Sequence, residues 1–473
     1  MTRHPKITTA IMAIAPALLA GVAAALVPAI PVFVGWGIVV AFALLCWRPM
    51  IGMVLIVLTY PFLAYEIPVG PLHIPPVDLV ALATAVAVSV RFVWSWSRTG
   101  IRPMVELPPG ALAFGMLTVV GMLSLVHTDN FFGSAKFLAR PIMFGYLMFL
   151  VLPLHLLDAP QRLFRVFRAM GVIGVVAAAM GTWSLVLPVE PGALRRAVPV
   201  AIAGIAPLGT NHNLLAEVLV SVAPVGIALA TLASGTMRRW MWAGTAWCVV
   251  IALATFSRNA WLALAVEGVV LLAAYAHAHG IAWRRVLGGM GVLVLMATMA
   301  VGVLSATGVA QSSNRNRLQL MTIAFEQFRA HPWIGGGTGT FLDAVRRDRW
   351  YMADFGRPLD AHGFVPKLLA ETGMLGLAAY SGLLGAVLYT IARASLRVVH
   401  APRWRLMVLA LLASAVGSVA FQLFNTSYFV AKLWLPLGIA VATARLAQRS
   451  AGPMPSRSSE RIEHPHLLRQ LLS

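Results

Sequence analysis

Apolar residues fall in runs separated by short polar breaks, at roughly 7–27, 32–46, 50–64, 77–96, 110–127, 140–157, 168–187, 212–233, 241–256, 260–278, 284–305, 364–391, 405–423 and 428–446. About 20 apolar residues cross the hydrocarbon core of a bilayer as a helix, so the pattern predicts an all-α polytopic membrane protein with about 12–14 transmembrane helices. The lower number applies if the short runs near the N-terminus pair as re-entrant segments. The first run follows the cationic stretch Met1-Thr2-Arg3-His4-Pro5-Lys6. Further spans follow almost without a gap, so it reads as a retained helix and not a cleaved leader.

One polar excursion, residues 307–363, interrupts this alternation. It sets the expected organisation: N-terminal helices over 1–209, a central region over 210–392 that contains the excursion, C-terminal helices over 393–449, and a Pro/Ser/Arg-rich tail over 450–473 expected to be disordered and cytoplasmic. Long connections are uncommon and usually functional. Within this one, Leu318 to Phe328 carries apolar positions at helical spacing, which predicts an amphipathic helix near the membrane surface. The following stretch, His331-Pro332-Trp333-Ile334-Gly335-Gly336-Gly337-Thr338-Gly339, is rich in turn formers. It lacks the Lys-Ser/Thr and the preceding strand of a phosphate loop, so its glycines read mainly as tight turns.

Composition removes whole classes. Charged residues make up 11% of the 473, and the mean hydropathy is +0.82. Soluble domains carry about 25% charge, so a water-facing surface cannot be covered. The net charge of +20 comes almost entirely from arginine, the four lysines being Lys6, Lys136, Lys367 and Lys432. No polar domain gathers this charge, which removes nucleic acid as a partner. Cys46 and Cys248 both lie in apolar runs and suggest neither a disulfide nor a metal site.

With the N-terminus inside, most arginines fall in cytoplasmic connections, as the inside bias of Lys and Arg requires. The excursion breaks the rule. Arg315, Arg317, Arg329, Arg346, Arg347, Arg349 and Arg357, followed by Lys367, then face outward.

Three constellations on that outer side are candidates for chemistry. Ser257-Arg258-Asn259 stands between two apolar runs that almost touch. An arginine in lipid is costly, so Arg258 either lines a polar cavity or snorkels as a helix cap. The excursion's arginines offer planar forks of donors that grip phosphate oxygens in pairs, which suits a lipid-linked diphosphate. For any single arginine, contacts to lipid head groups or to Asp343, Asp348, Asp354 and Asp360 are the more ordinary explanation. Asp360-Ala361-His362-Gly363 places an imidazole where the chain re-enters the membrane, suited to general-base work or to a structural interfacial role. His212 in Asn211-His212-Asn213 raises the same question more weakly.

No Asp-x-Asp pair, metal-spaced His/Asp/Glu cluster, Gly-x-Ser-x-Gly or His-Glu-x-x-His occurs. Divalent-cation sugar-nucleotide transfer, zinc hydrolysis and acyl-serine chemistry are therefore disfavoured, and no cofactor is expected. Outside the cytoplasm bond formation needs a donor that arrives activated, and a lipid diphosphate is one.

Taken together, these residues resemble the O-antigen ligase and O-antigen polymerase superfamily. Arg258-Asn259-Ala260-Trp261-Leu262 fits Arg-x3-Leu, and His362 followed by Gly373 fits His-x10-Gly. His331-Pro332-Trp333-Ile334-Gly335 resembles His-Pro-x-x-Gly, and Asn213-Leu214-Leu215-Ala216 resembles Asn-x-x-Ala. The similarity covers about 210–390. Gly363 departs from it, standing where Asn or Ser is common. The resemblance implies a helical lipid-sugar-dependent glycosyltransferase in the bacterial inner membrane, with its active site facing the periplasm. It would move a glycan from undecaprenyl diphosphate, with inversion and without a metal, to an acceptor hydroxyl. It makes His362 the base, and Arg258 and Arg317 the catalytic holders of the diphosphate. Arg315, Arg140, Asn213 and Arg347 would line the donor's path.

Ligase and polymerase differ in acceptor, lipid A-core saccharide against a second lipid-linked repeat; the motifs favour the ligase. A flippase or exporter would spread its cations along several spans facing a midplane cavity, whereas here they gather in one outer excursion.

Overall fold

The computed structural model describes residues 29–63, 65–69, 72–100, 105–188, 194–202, 204–281, 308–425 and 430–451, with a few positions between 284 and 302. The predicted first span at 7–27, most of the run at 284–305 and nearly all of the tail lie outside these residues.

The described residues are all-α apart from one hairpin. Helices α1 (Ala29–Trp47) and α2 (Pro49–Thr59) are followed by strands β1 (Ile67–Val69) and β2 (Leu72–Ile74), which pair antiparallel. Then come α3 (Pro76–Thr99), α4 (Ala111–Ser124), α5 (Phe131–Leu156), α6 (Pro160–Val186), α7 (His212–Leu232), α8 (Gly235–Ala254) and α9 (Arg258–Ala278). The excursion holds α10 (Gly308–Ala330), α11 (Phe341–Arg347) and α12 (Arg349–Phe355). The bundle closes with α13 (Phe364–Arg397), α14 (Pro402–Gln422) and α15 (Ala431–Ser450).

Seven of the described helices are long and apolar enough to cross a membrane (α3, α5, α6, α7, α9, α13 and α14), making this a polytopic membrane protein. The count becomes eight if α1 and α2, bent by 112°, form one span. The runs alone predicted 12–14. Part of the difference lies outside the described residues. The rest is physical: α4 is only 14 residues long, and α8 and α15 have the length but carry Arg238 and Arg239, or Lys432, Arg445 and Arg449.

The core sits where α7 packs on α6, α8 and α14, with α9 and α15 against α14. Small residues bring these helices close; a Cβ at Gly438 would strike the backbone of Phe149 in α5. Some of the charges inside the bundle are paired, which lowers their cost in a low-dielectric interior. Lys432 lies 3.5 Å from Glu217, whose other carboxylate oxygen accepts a hydrogen bond from Gln422 Nε2 at 2.5 Å. Another cluster of charges joins Glu106 to Arg445 and Arg449, each at 2.5 Å.

α5 departs from regular geometry. Residues Leu138–Phe144 and Leu147–Val151 are π-helical, with Pro141 inside the first stretch. Pro141 has no N–H to donate and its ring crowds the preceding turn, so the widened helix is the local response.

α13 is also broken, at Gly373 (φ 67°, ψ −164°). The break lets the helix bond to the His331-Pro332-Trp333-Ile334-Gly335 turn: Met374 N donates to Pro332 O at 2.9 Å and Leu375 N to Trp333 O at 3.1 Å. A Cβ at Gly373 would come within 2.5 Å of Trp333 C. The glycine ending the His-x10-Gly spacing is therefore an architectural requirement, clasping the excursion to the bundle. His127 adds to the clasp, donating from Nδ1 to Gly335 O (2.9 Å) while stacking on His331 at 3.9 Å between ring centres.

Candidate active site

Four chain segments meet at one end of the bundle. The first is the start of α9, entered through a tight turn in which Phe256 adopts φ 52°, the one positive value outside glycine among the described residues. Ser257 caps the helix, its Oγ accepting from Ala260 N, and donates to Asn213 Oδ1 at 2.7 Å. That bond ties α9 to the second segment, the start of α7, itself capped by Asn211. Asn259 Nδ2 donates to Phe424 O at 3.1 Å, joining the third segment at the end of α14. Arg258, held between these anchors, donates from Nη1 to Asn314 Oδ1 on α10 at 2.9 Å.

α10 supplies Arg317. Its Nε is buried and has no hydrogen-bond partner among the described residues. Burial first, and repulsion by Arg258 second, lower its guanidinium from its ordinary value. Two cations thus share a partly enclosed space without a carboxylate between them.

The fourth segment is the turn before α13. Asp360 accepts from Ala361 N at 2.9 Å and from Lys367 Nζ at 2.5 Å, and Lys367 also lies 3.8 Å from Glu371. This buried pairing occupies Asp360 and fixes the turn that presents His362. Gly363 adopts φ 120°, and a Cβ there would collide with Leu423 O. Here glycine is required by the close approach of α14's end, which accounts for the departure from the Asn or Ser expected after the histidine.

Burial and the Arg317 guanidinium lower the His362 imidazole from 6.5 to about 4, against a weaker opposing effect of Asp360. At neutral pH His362 is uncharged and able to accept a proton. Arg317 is thereby an electrostatic neighbour of both Arg258 and His362.

Sequence reading missed Arg196. Its Nη1 lies 3.5 Å from His212 Nε2, and the fields of Arg196 and Arg317 both fall on His212. The loop is placed by Ala197 N donating to Ala254 O at 2.9 Å and Val198 N to Ser184 Oγ at 2.9 Å. Burial lowers the Arg196 guanidinium as well. No ion pair forms with Arg196, Arg258 or Arg317 among the described residues. An outward arginine pair, Arg195-Arg196, was the available signal, but no motif surrounds it.

The remaining expected residues are placed differently. Arg315, two positions from Arg317, points away to Asp354 at 2.6 Å and is largely exposed. Arg347 pairs with Asp129 at 2.8 Å, also exposed. Arg140 lies against Asp78 at 3.3 Å, lining a separate cavity. Asn213 stands at the junction of α7 and α9 as the acceptor for Ser257. Among the described residues no three His, Cys, Asp or Glu side chains could hold a metal ion.

A multi-pass membrane protein with unpaired guanidiniums beside a neutral imidazole has the parts to grip an anion while a proton is removed nearby. Residues 243–381 match the O-antigen ligase family, a stretch that includes Arg258, Arg317 and His362 and ends within α13. That match supports a place for this stretch in the O-antigen ligase and polymerase superfamily, a family of glycosyltransferase-like enzymes acting on lipid-linked glycans. No curated protein matches the chain.

Proposed function

We propose that this protein transfers a glycan from undecaprenyl diphosphate to an acceptor hydroxyl with inversion, and that it is an O-antigen ligase joining O-antigen to lipid A-core at the periplasmic face of the inner membrane. The reading is supported by Arg317, which acts on both Arg258 and uncharged His362 and, with Arg196, on His212; none of the three arginines forms an ion pair among the described residues.

In the proposed step the acceptor O–H gives its proton to the imidazole of His362. The oxygen attacks the anomeric carbon, and the bond from that carbon to the diphosphate oxygen breaks. The electron pair leaves with the diphosphate, whose growing charge the guanidiniums receive. Their repulsion of one another in the empty site is relieved when the anion enters, and paired N–H forks fix its orientation. One such donor lowers the barrier by roughly 3–4 kcal/mol. Guanidiniums supply the positive charge that a divalent cation supplies elsewhere, so the reaction proceeds without added metal. The ligase choice is supported by the description of the matched family and by the Arg-x3-Leu and His-x10-Gly pair.

The test supplies purified protein with an undecaprenyl-diphosphate glycan and either lipid A-core or a second lipid-linked repeat, in chelator. A product with the whole glycan on lipid A-core supports ligation. Lengthened lipid-linked glycan would replace ligation by polymerisation, and no product with either acceptor would refute transfer.

A further inference from the structure

A cavity of about 210 Å³ lies apart from the four segments described above, between the start of α3, the π-helical part of α5 and the start of α15. Asp78, Arg140 and Glu66 line it together with Phe144, Phe149 and Val430. Arg140 reaches the Asp78 carboxylate through both Nε (3.4 Å) and Nη2 (3.3 Å). The Asp78 side chain is 14% exposed and that of Arg140 37%.

The charges decide what fits. Arg140 is already matched by Asp78, and Glu66 adds a second carboxylate, so the cavity is net acidic and would repel a diphosphate. A carboxylate and a guanidinium held side by side offer acceptors and donors for adjacent hydroxyl groups. Phe144 and Phe149 supply apolar surface for the C–H face of a ring. That combination suits an uncharged, hydroxyl-rich ring and suits neither a phosphate nor an acyl chain.

Chain length limits the distance from the cavity to the proposed reacting centre. Leu423, whose carbonyl touches Gly363 beside His362, and Val430, at the cavity, are seven residues apart. A fully extended chain of that length covers at most roughly 25 Å, so a short oligosaccharide can bridge the two. Arg140 lies within the widened helix turn that contains Pro141, and such π segments recur at functional sites.

We propose that the Asp78–Arg140 cavity is a glycan subsite that holds an uncharged sugar ring of one of the two substrates while another part of that glycan reacts beside His362. The inference rests on the transferase reading, and its test keeps the two apart. The full-length protein is compared with Asp78→Asn, which removes the carboxylate, and Val430→Trp, which fills the cavity without touching either charge. Each is purified in detergent and first checked for the wild-type gel-filtration profile. Binding of a soluble, uncharged oligosaccharide corresponding to the lipid A-core acceptor terminus, and then to the O-antigen repeat, is followed by saturation-transfer NMR. KM is measured for both substrates.

Losing hydrogen bonds to the carboxylate in Asp78→Asn, or the space for the ring in Val430→Trp, should raise one KM about tenfold, leave the other KM and kcat within about twofold, and remove the matching NMR signal. A rise confined to the acceptor assigns the ring to the acceptor; a rise confined to the donor assigns it to the donor's glycan. Unchanged KM values and signals in both variants overturn the subsite. If the wild type transfers nothing, the transferase reading fails, and the NMR comparison alone decides whether the cavity holds a sugar.

Discussion

Burial, and then the charge of the Arg317 guanidinium on α10, lower the His362 imidazole to about 4. The cation lies on α10 and the histidine in the turn before α13, so the pairing depends on the clasp that holds the excursion to the bundle.

This relationship fixes a pH profile. The folded protein binds the His362 proton less tightly than the unfolded chain does, whose value is near 6.5. Its contribution to stability is therefore complete above pH 6.5 and is lost as pH falls toward 4. The acid limb of kcat/KM should likewise lie well below 6.5. Arg317→Gln removes the repulsion, so in its residual activity the limb should move upward. A bound diphosphate screens Arg317 too, which places the limb of kcat above that of kcat/KM. Initial rates from pH 4 to 8 check all three, and identical limbs in wild type and Arg317→Gln would separate the two groups.

Arg258→Lys should reduce transfer by about 10²–10³-fold, since an ammonium cannot make the two-pronged contact with phosphate oxygens. Arg196→Ala should fall in the same range if it shares the anion. Steady-state rates at saturating acceptor measure both, and wild-type-like rates would remove either residue from the diphosphate site.

Arg315→Ala and Arg347→Ala should leave the rate within about twofold, because exposed ion pairs to Asp354 and Asp129 contribute only ~0–1 kcal/mol. A large loss in either would show that the exposed arginines also engage the donor.

Gly363→Asn and Gly373→Ala should be tolerated poorly. The backbone strain alone is worth about 1–3 kcal/mol, before any collision with Leu423 O or Trp333 C. Lower thermal unfolding temperatures in detergent, with Gly363→Asn no better than Gly363→Ala, are the expected readout.

Hydropathy was enough to show a helical membrane protein, and the motif spacing singled out Arg258 and His362. Other features depend on information that no linear pattern carries. Arg315 and Arg317 are the same residue type two positions apart, yet on a helix such neighbours point to different faces, and the fold leaves Arg315 exposed against Asp354 while burying Arg317 Nε. Arg196 sits in a loop without periodicity and is placed by backbone bonds from Ala197 and Val198 to distant helices. Charges inside α8 and α15 blurred the count of spans, because Lys432 is tolerated through Glu217, a partner invisible in local sequence.

The most direct test is glycan transfer by purified His362→Ala, with donor binding measured on the same sample. Retained binding of the undecaprenyl-diphosphate glycan with no detectable transfer is the predicted result. Transfer at the wild-type rate would show that the imidazole beside Arg317 is not the base.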